Sequence, residues 1–237
     1  SYTDFELIIV DDGSTDVSLQ IAEQFAREDS RVKVIVQEQN QGEAQALKKG
    51  FEVAQGEFVG QVDSDDLLEP QALELTVQAL EGDPGLGVTY TNYIDIDEDG
   101  NKVRVGMRCS IPYSAERLLT KMMVFHFTLM RKSVYQSVGG FNPKFDPVQD
   151  YDLLLRLSEV TRILKVSEFL YLHRIHPGMV TRKKSLRMLV LSYKAVEQAL
   201  VRRGMKDTHQ VCVSNPQVEI VETYGVDYFR SKHHIQT

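Results

Sequence analysis

The sequence predicts an α/β domain with a mostly parallel, doubly wound sheet and a mixed second half. Three observations carry that expectation. Short apolar runs alternate with helical stripes over the first 90 or so residues, acidic turns follow two of those runs, and the alternation loosens after Ile96.

FELIIV (Phe5 to Val10) is the first apolar run, ended by DDGSTD, in which a glycine turns the chain and Ser14, Thr15 and Asp16 are N-cap candidates. Val17, Ile21, Ala22 and Phe25 then recur at helical spacing, and VKVIV (Val32 to Val36) returns as a strand, completing one βαβ unit. Ala44, Leu47, Phe51 and Ala54 form the next stripe, Gly56 stops it, and EFVGQV (Glu57 to Val62) follows as a strand. In such sheets ligands bind beyond the carboxyl ends of the strands, where DDGSTD and the following DSDD are both expected to converge.

From Pro70 a helix should turn Leu73, Val77 and Leu80 inward, before DPGLG breaks it and VTYTNYIDI (Val88 to Ile96) forms a strand. IDEDGNKVRV reads as a hairpin centred on Asp99-Gly100, which adds antiparallel pairing. Residues 150–159 and 181–201 read as helices, the second with Leu186, Leu189, Val190, Tyr193 and Leu200 on one face, and ILKVSEFLYLHR between them reads as paired strand. After Gly204, VCVSNPQVEIVE offers one or two short strands with no evident place in the sheet.

Composition narrows the functions. At 237 residues, 42% hydrophobic and 26% charged, one large domain is expected. A formal charge of -7 argues against nucleic acid as a partner. Cys109 and Cys212 have no partner spacing, so neither a disulfide framework nor a zinc site is indicated and a reducing compartment is expected. No apolar run approaches the ~18 residues of a membrane span. The expected location is cytoplasmic, with the inner membrane surface as the alternative. That alternative rests on Arg182, Lys183, Lys184, Arg187, Arg202 and Arg203, a set equally at home on a solvated helix face.

QVDSDDL (Gln61 to Leu67) poses the chemical question, because Asp63, Asp65 and Asp66 repel one another beside a core unless water or a cation compensates. The ordered set FELIIVDDGSTD, NQGEAQALKKGFEVAQGEFVGQVDSDD, GGFNPKFDPVQDYDLLLR and YLHRIHPGMVT resembles the family 2 glycosyltransferases, whose fold is called GT-A, over roughly residues 1–181. That resemblance implies an inverting, metal-dependent transfer of a sugar from a nucleoside diphosphate donor, UDP first, to a glycan or lipid-linked acceptor, in cell-surface polysaccharide synthesis. A non-catalytic nucleotide-sugar-binding or scaffold domain of the same fold is the alternative. A nucleotidyltransferase would need a glycine-rich basic loop for a triphosphate, which is absent.

The roles carried over are these. Asp12 is similar to the residue that hydrogen-bonds the uracil ring, and Asp11 supports it; a capped turn also accounts for both. Asp63-Ser64-Asp65 looks like the family's D-x-D motif, with Asp65 as ligand to Mn2+ or Mg2+ and Asp63 near the ribose, where a solvated acidic turn is the plain alternative. Asp150 resembles the general base, with Asp146 and Asp152 as neighbours that could substitute, although Gln149 replaces the family's usual Glu. His176 is similar to a further metal ligand, and Arg174 would meet the diphosphate. Gly139 and Gly140 allow either a close backbone approach to substrate or a helix stop. His126 alternates with apolar residues and reads as a satisfied sheet histidine, and His233 and His234 receive no role.

Expected boundaries are 1–203 for the transferase domain, with a nucleotide-binding half over 1–95 and an acceptor half over 96–203, and 204–237 as an extension. Family members begin with a further strand and helix ahead of the position of Phe5, so the donor site is expected to lack one wall and to bind donor weakly.

Overall fold

The computed structural model describes residues 1–178, 185–214 and 217–222. β1 (Leu7–Asp11) pairs in parallel with β2 (Val32–Val36), with α1 (Ser18–Glu28) as the crossover. α2 (Glu43–Val53) then leads to β3 (Phe58–Gly60), and β4 (Leu67–Leu68) follows the DSDD turn. After α3 (Ala72–Gly82), the long central strand β5 (Leu86–Ile96) turns through Asp97–Gly100 into β6 (Lys102–Val105). That hairpin is as the sequence predicts: the Asp97 carboxylate accepts from the backbone N–H groups of Asp99 and Asn101, and Gly100 takes φ 88°, which glycine adopts without strain.

The second half comprises α4 (Ala115–Leu118), β7 (Leu129–Arg131), α5 (Lys132–Ser137), α6 (Gln149–Leu157), β8 (Arg162–Arg174) and α7 (Ser185–Arg202). β9 (His209–Ser214) and β10 (Gln217–Glu222) form an antiparallel hairpin off the main sheet.

The expected mostly parallel sheet is corrected to a mixed one. Its order is β3-β7-β5-β8-β4 with β6 on β5, and only β5–β8 is parallel there. The reason lies in β7, which enters from the loop that follows the four-residue helix α4 and wedges antiparallel between β3 and β5. β1 and β2 form a sheet of their own. Among the described residues β1 and β3 therefore each have a single partner, and Ile8 and Val10 of one line the same cavity as Phe58 and Val59 of the other.

One apolar cluster joins α2, α5, α6 and α7 to β5, through Phe51, Val88, Tyr90, Leu155 and Val196 among others. A second, around Leu80, Leu86, Tyr93 and Tyr171, seats α3 on the other side. Val77 and Leu80 of α3 and Ala44 and Phe51 of α2 are buried as expected. Two helix faces depart from expectation. On α1 only Ala22 is buried, while Val17, Ile21 and Phe25 are 60%, 50% and 55% exposed. On α7 the inward residues are Ala195, Val196, Ala199 and Leu200, and Leu186 is exposed, because this helix rests on α6 by its second half. Among the described residues no helix is long and apolar enough to cross a membrane. Arg182, Lys183, Lys184, His233 and His234 lie outside the described residues.

Candidate active site

The turn after β3 is built around Tyr171, a fully buried side chain of β8. Its hydroxyl oxygen accepts from the Asp63 N–H at 3.2 Å, and its O–H donates to Asp66 Oδ2 at 2.7 Å. The Arg174 N–H donates to Asp66 Oδ1 at 2.6 Å. Asp66 thus ties the turn to β8. The Arg174 guanidinium is spent on the same task, donating to the carbonyls of Asp65, Asp97 and Glu98 at 2.7–2.9 Å.

That anchoring leaves Asp63 and Asp65 facing outward into a cavity of about 1710 Å3 that also receives Ser64, Glu43, Arg108 and Asp150. Asp63 titrates at about 7, raised first by burial and then by the charges of Glu43, Asp66, Asp65 and Asp150. Asp65 is more exposed, and its Oδ2 lies 2.9 Å from His176 Nε2. The Gly178 N–H donates to His176 Nδ1, which holds the ring with Nε2 toward Asp65. A carboxylate oxygen beside an imidazole nitrogen is a donor pair that divalent ions such as Mn2+ accept, so these two residues fit the metal that the resemblance implies.

Asp150 opens the first turn of α6, where its Oδ1 accepts from the Tyr151 N–H at 2.7 Å. Burial raises its pKa, and Arg108 opposes that rise. The two neighbours weighed beside it are otherwise engaged or placed. Asp152 is held in a buried ion pair with Arg156 at 2.6 Å, and Asp146 presses against Gly42, where an added Cβ would sit 2.7 Å from Asp146 Oδ2. Gln149 is almost wholly buried and donates to Glu43 Oε1 at 3.0 Å, so a carboxylate from the start of α2 stands beside the base despite the Glu-to-Gln difference.

The first acidic turn meets the second through Glu43 rather than through its own side chains. The Asp11 and Asp12 side chains are not among the cavity's lining residues. Asp12 accepts from Gln37 Nε2 and from the N–H groups of Gln41 and Gly42 at 2.6–2.8 Å, and Asp11 accepts from the Ser14 N–H at 3.2 Å. The first turn therefore fixes the loop that presents Glu43. Gly139 and Gly140, at φ 83° and 66°, end α5, with the Gly140 N–H on the Tyr135 carbonyl, which is the helix-stop reading. His126 is corrected: it stands in the loop before β7, and among the described residues its ring makes no hydrogen bond.

A sequence-family model described as "Glycosyl transferase family 2" matches residues 1–139. The chain belongs to that family. It is 34% identical over 204 residues to a chondroitin synthase of Escherichia coli, covering 86% of this chain and 29% of that protein. It is 32% identical over 202 residues to a hyaluronan synthase of Pasteurella multocida, covering 85% and 21%. The chain thus spans less than a third of either relative's length. Among solved structures, S. aureus TarS 1-349 in complex with UDP-GlcNAc matches with a TM-score of 0.67 at 20% identity, over 86% of this chain and 61% of that one. The mannosyltransferase PcManGT of Pyrobaculum calidifontis, in complex with GDP-Man and Mn2+, matches with a TM-score of 0.60 at 15% identity, over 84% and 54%. The fold of this family 2 chain is accordingly the α/β fold of GT-A glycosyltransferases, with a mixed, curled sheet.

Sequence reasoning missed Tyr171, Glu43 and Arg108. Tyr171 is hidden inside an alternating strand. Glu43 alone left a trace, as an acidic residue directly after the glycine that opens a helix.

Proposed function

We propose that the chain is the donor-binding and catalytic part of an inverting, metal-dependent glycosyltransferase. It moves a hexose or N-acetylhexosamine from a UDP-sugar to a glycan or lipid-linked acceptor, in the synthesis of a polysaccharide. The observation that carries this reading is the meeting of Asp150, with its raised pKa, and the Asp63–Asp65 turn across one cavity. The chondroitin and hyaluronan synthase relatives and the UDP-GlcNAc held by the TarS structure support the donor class.

In this reading Asp150 takes the proton from an acceptor hydroxyl as that oxygen attacks the anomeric carbon, while the bond from that carbon to the diphosphate breaks and the electron pair leaves with UDP; a single displacement inverts the centre. Asp63 faces the ribose of the donor. Asp65 and His176 hold the metal, whose role when bound is to offset the charge that builds on the departing diphosphate. Asp11 and Asp12 keep the base-side loop in place, and Arg174, although spent on carbonyls, brings positive charge to the corner where the diphosphate would lie. Residues 1–203 form the transferase domain, split near residue 95 into donor and acceptor halves.

Transfer of radiolabelled sugar from UDP-GlcNAc to an oligosaccharide acceptor tests this directly. Asp150→Asn should lower kcat by about 10^2–10^4 and leave UDP binding in place. Transfer at the unmodified rate would remove Asp150 from the role. No transfer by the unmodified chain, with UDP still bound, would favour a binding domain.

A further inference from the structure

Asp66, His126 and His173 come from three separate segments: the turn after β3, the loop before β7 and the end of β8. Each nevertheless offers one ligand atom, and these atoms all lie within 4.8 Å of one another. The transfer reaction described above uses none of the three.

Their surroundings are those of a prepared ligand set. His173 Nδ1 is 2.9 Å from Asp95 Oδ1, and Arg104 Nε donates to Asp95 Oδ2 at 2.7 Å. A carboxylate on Nδ1 keeps the proton there and leaves a lone pair on Nε2, which is how ligating histidines are oriented by their neighbours. The His126 ring lies flat on Tyr171, with ring centroids 4.4 Å apart and an interplanar angle of 11°, and stacks at 5.4 Å on His173. In its neutral form one nitrogen of this ring carries a lone pair, which is the atom it offers to the cluster. Asp66 accepts one hydrogen bond on each oxygen, so each keeps a second lone pair.

We propose that Asp66, His126 and His173 form a second divalent-metal site, distinct from the Asp65–His176 pair and selective for a late first-row ion such as Zn2+. Two imidazoles and one carboxylate suit Zn2+ better than they suit Mg2+ or Ca2+. The cavity reaches all three residues, which gives the ion an entry path. The role is structural. A single ion clamps the turn after β3, the loop before β7 and β8 together, and so holds the backbone on which Asp63 and Asp65 are displayed.

The chain stripped of metal by chelation and titrated with Co2+, as a visible-light reporter for Zn2+, tests this without any assay of transfer. The expected result is a nitrogen-ligated visible band that Zn2+ displaces. His126→Gln and His173→Gln should each abolish the band and weaken binding at least about tenfold, by the scale of metal-site losses, while an Asp65→Ala/His176→Ala double variant keeps both. A band that follows Asp65 and His176 instead would overturn the proposal. If either glutamine variant does not fold by circular dichroism, Zn2+ added to the unmodified chain and followed by the imidazole resonances of His126 and His173 decides the matter. Both should move on saturation, and unmoved resonances would overturn the proposal equally.

Discussion

Asp63 and Asp65 share one turn yet differ in their surroundings, Asp65 being the more exposed. Asp63 is half-buried among carboxylates and titrates at about 7, well above the ordinary carboxylate range. The sign of its linkage to stability follows. The folded state keeps a proton that the unfolded chain releases at about pH 4, so Asp63 costs nothing below that pH, and stability falls as pH rises from about 4 to 7. The shift of roughly three pH units corresponds to at most about 4 kcal/mol. In chelator, Asp63→Asn should therefore raise the melting temperature at pH 8 and have little effect at pH 4, as read by calorimetry; an equal effect at both values would show that burial of this carboxyl carries no cost. The Asp65–His176 pair offers one oxygen and one nitrogen to a cation, with Asp65 Oδ2 and His176 Nε2 2.9 Å apart. Titration calorimetry with Mn2+ and UDP should therefore show Mn2+ binding weakened about tenfold or more in Asp65→Ala and in His176→Ala. Unchanged Mn2+ affinity in both variants would mean that the metal does not engage this pair.

At the scale of elements, β8 is the scaffold of the site, since its last four residues supply Tyr171, His173 and Arg174 to three different partners. Tyr171→Phe would leave the Asp63 N–H and Asp66 Oδ2 without their shared partner. The expected cost is about 1–3 kcal/mol of stability, with weaker Mn2+-dependent UDP binding, and chemical denaturation alongside calorimetry measures both. A variant that loses stability but binds UDP as before would mean the turn holds its shape without Tyr171. Sequence made such elements legible to differing degrees. β2 falls where the VKVIV pattern put it, and the DSDD turn and the hairpin at Gly100 stand out because short-range chemistry marks them, whereas Asp150 is singled out by the family resemblance alone. The antiparallel entry of β7 was not legible, because LMR alone has no periodicity and its direction is set by a loop that packs remotely. The faces of α1 and α7 were misread for a related reason: apolar spacing shows that a helix has an apolar stripe, not which stretch of it meets a neighbour.

At the scale of the whole molecule, the sheet is divided. Among the described residues β1 pairs only with β2 and β3 only with β7, and the apolar side chains Ile8, Val10, Phe58 and Val59 of the two strands line one cavity. α1, the crossover on the β1 side, shows Val17, Ile21 and Phe25 to solvent. One strand inserted between β1 and β3, continued by a helix over α1, would satisfy the unpaired backbone of both edges and cover that stripe, with the right-handed crossover that parallel strands require. The DDGSTD and DSDD turns follow those two strands, so such a strand would also brace the loops on which donor binding depends. Calorimetry with UDP and Mn2+ on the 237-residue chain, and on a version carrying a strand and helix ahead of Ser1, should therefore show tighter binding and a higher melting temperature for the longer form. Equal, tight binding by both would mean that β1 and β3 hold the donor turns in register without any strand between them.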